Sequence, residues 1–524
     1  MTGISARGRT LSQLSEDERY RQFEQLQQTM PTVWDAMKLD HDDESVVVIP
    51  SVSLAMTTVN SGTLMQAMEE RALFLLLLLR QPRLRMIYVT SQPVPESIIE
   101  YYLGLLPGVI PSHARNRLTM VSVDDATPRP LSSKLLARPR MLDRIRSLIP
   151  NIGRSHLIPY NTTALERDVA ISLGIPTYGA DPRHADLGTK TGCRRLFESL
   201  GVTCPVGAED LHTVADIVAG VASMRSRRPT LTLAIVKLND GVSGSGNASL
   251  DLRGLPEPGA ADETAAIAER VYTLRPEAEN LSAEQYLKDF ESFGGIVEER
   301  ITGITLTSPS VQMRALPDGT VELLSTHDQL LGGATGQKYL GCIFPADSRY
   351  AAAIAEPAMV IGRHLATLGV LGRFAVDFVV VQDSDGVWTP YAIELNLRKG
   401  GTTHPFLTLQ FLTDGSYDGA DGVFRTVGGA PKYLVATDHL EDHRLKALSI
   451  DQLFETTVRH HLHFDQARRT GVVFHMISCL TECGRIGLTA VGDSPDDAWH
   501  RYQQAQEVLL GEADRALVEA PVIA

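Results

Sequence analysis

The stretch at 391–405, "YAIELNLRKGGTTHP", constrains this chain more than any other. In a strand, side chains alternate between two faces. Ile393, Leu395 and Leu397 then share an apolar face, while Glu394, Asn396 and Arg398 share a polar one. Upstream, "FAVDFVVV" and the turn "QDSDG" predict the partner strand, so that 375–398 forms a hairpin. With "DSDG" as its loop, Asp377 faces the neighbourhood of Ala392 and lies diagonal to Glu394, near enough for two carboxylates to share one ion. Asn396 follows two residues on along the same face. Hard oxygen ligands beside a phosphate-binding Arg398 suit Mg²⁺ with a nucleoside triphosphate. The alternative is a half-solvated hairpin whose polar residues only face water. Pro390 has no N–H, so this strand pairs on one side only or contains a bulge.

The rest of the chain supplies a frame for that hairpin. Its 524 residues correspond to about three or four domains. Residues 1–45 read as a polar helical segment, with Ser15 as N-cap of "SEDERYRQFEQLQQTM". The strand-like runs "SVVVIPS" and "LRMIYVTS" flank an apolar helix, which predicts a βαβ unit and an α/β domain over 46–185. The run "LFLLLLL" at 73–79 is far shorter than the ~20 apolar residues of a membrane span and reads as a buried helix segment.

Over 186–415 the pattern becomes α+β. "TKTGCRRLFESLG" is a short helix ended by Gly201, and Ser282 to Gln285 fits a capping box for a helix closed by Gly294. A hairpin turns at Asp318-Gly319, and a helix over 351–368 stops at Gly369. The tail, 416–524, has its own α+β pattern and a last helix with Ser494 as N-cap and Pro495 in its first turn.

Forty-nine Lys and Arg against sixty-three Asp and Glu give a net charge of −14. An acidic chain with no concentrated basic block has no general attraction for phosphate backbones, so nucleic acid is not an expected partner. Neither a secretory signal nor a membrane span is expected, and the five scattered cysteines fit a reducing cytoplasm. Cys479 and Cys483 read as core thiols, and "RHHLHFD" at 459–465 as a polar surface.

Three further pieces carry candidate chemistry. Lys237 ends an apolar strand and precedes a loop in which Gly241, Ser243, Gly244, Ser245 and Gly246 would let the backbone approach phosphates. That loop matches neither the P-loop nor the dinucleotide fingerprint, and a plain surface hairpin is its ordinary reading. Glu298 and Glu299 follow a short apolar strand, where one could accept from an adenine amino group. Lys190 stands at a helix start. Arg314, Arg373, His327, Gln329 and His404 are additional polar candidates, with Arg314 suited to a substrate carboxylate.

Together and in this order, Lys190, Lys237 with its loop, "VEERI", Asp377 in "GRFAVDF" and "IELNLR" resemble the ATP-grasp superfamily over about 186–415. The longer string "ELNLRKGGTTHPF", with "GVVFHMISCL" and "VGDSP", is similar to the peptide ligases of the pheganomycin type. The resemblance implies an ATP-grasp fold of two subdomains holding the nucleotide between them, after a Rossmann-like pre-ATP-grasp domain and before a C-terminal α+β domain. It assigns Lys190 and Lys237 to the phosphates and adenine side of ATP, Glu298 to the adenine amino group, and Glu299 and Ile301 to backbone contacts. Asp377, Glu394 and Asn396 would hold two Mg²⁺ ions, with Mn²⁺ able to substitute, and Arg398 would steady the transferred phosphoryl group.

Thr305 stands where many relatives have an acidic ribose ligand, so the ribose contact is open. The implied reaction is an ADP-forming ligation, in natural-product (antibiotic) biosynthesis, of a small carboxylate to an amine or peptide through an acylphosphate, by a cytoplasmic enzyme that could be a homodimer. Lys237, Arg314, Arg398 and His404 are the catalytic candidates. A nucleotide-binding regulatory protein or another ATP-grasp phosphotransferase are the rival readings.

Overall fold

The computed structural model describes residues 11–37, 43–54, 61–241, 244, 246–278, 281–333 and 336–519. Its first layer is a parallel sheet of β1 (Ser45–Ile49), β2 (Arg85–Thr90), β3 (Leu118–Ser122) and β4 (Ser155–Pro159), in the order β3-β2-β1-β4. All five residues of β1, "SVVVI", are buried, as a parallel strand covered on both faces requires. The helix Gly62–Glu70 and the run Arg71–Arg80 make the crossover to β2. That run is a 3₁₀ helix rather than an α-helix, and Leu73, Leu75, Leu76, Leu77 and Leu79 in it are buried. It has no polar stripe because it is enclosed, packing against the helices Glu96–Gly104 and Thr403–Thr413.

The polar N-terminal segment folds onto this layer. Ser15 and Glu18 form a capping box for the helix Glu16–Gln27, and Phe23 of that helix packs with Val47 and Ile49. Arg19 reaches Asp168 at 2.7 Å, which pins the helix to the far side of the sheet.

A five-stranded sheet follows: β5 (Gly207–Leu211), β6 (Leu233–Leu238), β7 (Asn247–Asp251), β8 (Arg275–Pro276) and β9 (Gly295–Glu299), in the order β5-β9-β6-β7-β8. The helices Val214–Arg227, Glu263–Val271 and Ala283–Phe293 bury their apolar stripes on it. Ser282 caps the last of these by accepting from the Gln285 amide.

The large sheet contains β10 (Thr305–Thr307), β11 (Pro309–Ala315), β12 (Val321–Gly332), β13 (Lys338–Phe344), β14 (Gly372–Gln382) and β15 (Trp388–Asn396). The expected turn joins β11 to β12, with Gly319 at φ +83° and its amide donating to the Leu316 carbonyl at 2.9 Å. The helix over this sheet runs Ser348–Thr367, starting three residues before the expected point because Asp347 caps it.

After the short hairpin of β16 (Ser416–Asp418) and β17 (Val423–Arg425), the chain returns to the same sheet. β18 (Tyr433–Glu441) pairs with β13, and β20 (Arg485–Gly492) and β19 (Gly471–His475) extend it further. Nine strands of the described residues thus make one sheet that runs across the expected boundary at 415. The last helix, Pro495–Glu519, covers the C-terminal strands, with the Asp497 amide donating to Ser494 Oγ at 3.1 Å.

Tyr286 shows how the small sheet is closed. The ring is fully buried, and its hydroxyl is shared at 2.9 Å between the carbonyls of Val236 and Gly246, at the root of the glycine-rich loop. Tyr286→Phe should lower the stability by about 1–2 kcal/mol, read from the urea denaturation midpoint. An unchanged midpoint would show that this bond contributes nothing.

Candidate active site

The β14–β15 hairpin has an offset that simple alternation does not predict. Val376 pairs with Leu395 and Asp377 with Glu394, but the next residue, Phe378, pairs with Ala392. Ile393 is therefore the extra residue of a β-bulge, and two corrections follow. Asp377 lies directly across from Glu394 rather than from Ala392. Ala392 and Leu395 take the buried face, while Ile393 is only partly covered and lines the cleft. Pro390 opposite Val380 is tolerated because β15 pairs with β14 alone. The outer edge is partly covered where the Ala392 amide donates to the Thr203 carbonyl at 2.9 Å.

These carboxylates border a cleft of about 870 Å³ between the two central sheets. Lys190, the first residue of the helix Lys190–Ser199, reaches Glu394 Oε1 at 2.7 Å. Burial works against the charge on Lys190, but the Glu394 carboxylate outweighs it and raises its pKa. Burial likewise resists ionisation of Glu394, and the charges of Lys190 and Arg398 bring its pKa below the ordinary value. Asp377 makes no direct ion pair among the described residues, and the charges of Arg398 and Lys190 reach it more weakly. Gln329 Nε2 and Asn396 Nδ2 each donate to it at 3.0 Å, and burial together with the Glu394 charge pushes its pKa up to about 6. Arg398 faces the same cleft without an ion pair among the described residues; its Nη1 reaches only the Lys399 carbonyl, at 3.2 Å.

At the other end of the cleft Lys237 Nζ lies 2.6 Å from Glu298 Oε1. Glu298 Oε2 is buried with no hydrogen-bond partner among the described residues, and Arg194 Nη1 lies 3.6 Å from it. It is an acceptor left open in a site that also contains Ile301. Glu299 differs: its side chain accepts from the Val206 amide at 3.1 Å and pairs with Arg228, and its own N–H donates to the Val206 carbonyl. That N–H is committed to the small sheet. Thr305 is exposed at the start of β10 and lies outside the cleft lining, where Leu306 and Ser308 stand instead.

Gly241, Gly244 and Gly246 line the cleft; Ser243 and Ser245 fall outside the described residues. Gly244 has φ +79°, and a Cβ there would sit 2.6 Å from the Gln337 carbonyl oxygen, so only glycine fits. Asn247 Nδ2 donates to Gln337 Oε1 at 2.7 Å, which fastens the root of this loop to the turn between β12 and β13.

Four expected polar residues are not brought to the cleft wall. Arg314 is held by Glu322 beside Arg373, and His327 is buried against Phe344 and Ser325. His404 is buried as well, with Nε2 at 3.1 Å from both His475 Nε2 and Asp438 Oδ1. His475 Nε2 lies 2.7 Å from the same oxygen, and Arg71 Nη1 donates to Asp438 Oδ2 at 2.7 Å. The three His and Asp ligand atoms all lie within 4.8 Å of one another. Burial pushes the His404 pKa down to about 3, leaving the imidazole neutral and Arg71 as the counter-charge of Asp438.

The cleft also includes residues that the sequence did not single out: Arg71 and Tyr160 from the first layer, and Asp438, His439 and Arg485 from the last. Only Arg71 left a trace, as a charged residue opening an otherwise apolar run.

Family models match this chain in two places: "IQCH-like, ATP-grasp" over 184–273 and 260–419, and "PGM1 C-terminal domain" over 453–505. The chain is 29% identical over 451 residues to the L-propargylglycine–L-glutamate ligase of Streptantibioticus cattleyicolor, covering 84% of this chain and 89% of that one. It is 27% identical over 365 residues to IQ motif-containing protein H of Danio rerio, covering 61% of this chain and 34% of that protein. Among solved structures, the biotin carboxylase domain of the Hydrogenobacter thermophilus 2-oxoglutarate carboxylase, in complex with MgADP, ADP and bicarbonate, has TM-score 0.52 at 12% identity. That likeness covers 88% of this chain and 89% of the domain, and it establishes the fold. The chain carries an ATP-grasp domain over 184–419. Its likeness over most of its length to an amino-acid ligase places it among the ATP-dependent ligases of that superfamily.

Lys399, next to Arg398, donates to the Pro159 carbonyl, and burial together with the Arg373 charge pushes its pKa down to about 7. A lysine whose folded pKa lies below its unfolded one destabilises the fold at low pH. That cost is relieved as pH rises from about 7 towards the unfolded value near 10.4. Wild-type stability should therefore rise with pH across this window more steeply than that of Lys399→Met, measured by urea denaturation at pH 6.5 to 9.5. Parallel curves would contradict the assignment.

Proposed function

We propose that the protein joins a substrate carboxylate to an amine, using ATP to form an acylphosphate and releasing ADP and phosphate. The observation that carries this reading is the placement of Asp377 directly opposite Glu394, with Lys190 on one carboxylate and an unpaired Arg398 beside them.

Glu298 Oε2 supplies the open acceptor that an adenine amino group needs, and Ile301 an apolar contact. Lys237 and Lys190 bring positive charge to the phosphates, and the loop at Gly241, Gly244 and Gly246 allows close backbone approach. The donor set of Asp377, Glu394 and the Asn396 amide consists of hard oxygens and fits Mg²⁺. When bound there, Mg²⁺ would neutralise charge on the β- and γ-phosphate oxygens. Lys190 then exchanges part of its contact with Glu394 for phosphate, and the amides of Gln329 and Asn396 keep Asp377 oriented.

In the first half-reaction an oxygen of the substrate carboxylate attacks the γ-phosphorus, and the bond to the β–γ bridging oxygen breaks, giving ADP. Arg398 stabilises the equatorial oxygens of the migrating group with fixed N–H donors. In the second, the amine attacks the acyl carbon, the C–O bond to phosphate breaks, and the proton lost by the amine passes to the departing phosphate. No side-chain nucleophile is needed. The chain's work is to hold three reactants and keep water from the acylphosphate.

The likeness to an L-propargylglycine–L-glutamate ligase supports amino-acid-like substrates and a role in natural-product assembly. The test supplies Mg·ATP with pooled carboxylates and pooled amines. ADP and phosphate should appear only when both pools are present, and Glu394→Gln should slow release by about a hundredfold or more. Release with an acid alone, at the full rate, would indicate a phosphotransferase. Release untouched by Glu394→Gln would remove the metal assignment.

A further inference from the structure

We propose that Arg71 and the start of the helix Thr403–Thr413 form a seat for the carboxylate of an amino-acid substrate, at the end of the cleft away from Glu298. The inference rests on the ligase reading above. Side-chain contacts give the order along the cleft. Lys237 pairs with Glu298, Lys190 with Glu394, and the charge of Arg398 is felt by both Glu394 and Tyr160. The Arg71 guanidinium lies 5.3 Å from the Tyr160 ring centre, one step further on.

Arg71 is 7% exposed and lines both the cleft and a small cavity of about 20 Å³ behind it. Nη1 is taken by Asp438 and the Tyr160 hydroxyl also acts on the guanidinium, but Nη2 is buried with no hydrogen-bond partner among the described residues. Asp438 cannot supply a second bond easily, because its other oxygen already receives His475 at 2.7 Å and His404 at 3.1 Å. A guanidinium has five donors in a fixed fork, and a buried one with an empty branch calls for a planar anion.

The facing wall is an independent part of the site. Gly400, Gly401 and Thr402 line the cleft immediately before an eleven-residue helix. Thr402 is its N-cap residue and makes no side-chain bond to the first turn; the Thr403 amide donates to the Gly400 carbonyl and Pro405 has no N–H, so the His404 amide is the first-turn donor left open among the described residues. Leu64 and Met68 add apolar surface on the same side. Cationic fork, helix N-terminus and apolar wall together suit the α-carboxylate of an amino acid whose reacting group points back towards Arg398.

The probe is each of the twenty common L-amino acids, alone and as its α-carboxamide, added to the full-length chain saturated with Mg·ADP, with thermal stability as the readout. At least one amino acid should stabilise the wild type, and its α-carboxamide should not. Arg71→Lys keeps the charge but loses the fork, and should weaken that amino acid by about tenfold or more. Thr402→Asp is a second variant that favours the helix while placing a carboxylate in the seat, and it should abolish the effect. Both variants should keep the Mg·ADP shift, which reports folding and the nucleotide site.

A dicarboxylic amino acid as the ligand would identify the acid substrate, and a monocarboxylic one the amine; either supports the seat. Equal stabilisation by the carboxamide, an unchanged response in both variants, or no stabilising amino acid while Mg·ADP still stabilises would overturn it. Loss of the Mg·ADP shift in the wild type would instead sink the nucleotide reading on which it rests.

Discussion

Two carboxylates facing each other across a strand pair set the terms for the rest of this molecule. Like charges 4 Å apart repel by about 4 kcal/mol at an effective dielectric constant of 20. Asp377 and Glu394 are held directly opposite each other by the backbone register, so the surroundings must supply the compensation. Lys190 does so for Glu394 from a helix outside the hairpin, and two amides do so, more weakly, for Asp377. Removing one partner of such a covered pair commonly costs about 3–5 kcal/mol. The carboxylate pair is therefore kept together by a buried cation from another element, the Lys190 ammonium.

The second constraint lies where the three parts of the chain meet. Asp438 comes from a strand of the C-terminal stretch, Arg71 from the first layer, and His404 from the helix that follows the carboxylate strand. All three are buried and share one carboxylate. Because β18 pairs with β13, the last part of the chain is a continuation of the central sheet, not an appended module. Its strands bring Asp438, His439 and Arg485 to the cleft.

Much of this was legible because periodicity and turn chemistry are local. Ser15, Asp318-Gly319, Gly369 and Ser494 mark element ends through hydrogen bonds a few residues long, and all four do so here. The polar residues of "IELNLR" reach the cleft as alternation predicts, from Glu394 to Arg398. What alternation could not supply is the bulge at Ile393, since an extra residue in one strand is a property of the pair. Nor could it tell Glu298 from Glu299, which take opposite faces of β9 and opposite roles, one with an open acceptor and one bonded to Val206 and Arg228. Arg314 and His404 are polar residues at sensible distances in sequence, yet ion pairs and burial elsewhere claim them. Arg71 and Asp438 meet from 367 residues apart, and no local pattern encodes that.

The most direct test of the central claim follows an oxygen atom. Once a carboxylate substrate is identified, it is supplied with ¹⁸O in the carboxyl group, and the released inorganic phosphate is examined by mass spectrometry. Acylphosphate chemistry predicts that each phosphate released carries one oxygen from the acid, with ADP unlabelled. Unlabelled phosphate would contradict it, and label in AMP would show that the cleft activates its acid by adenylation.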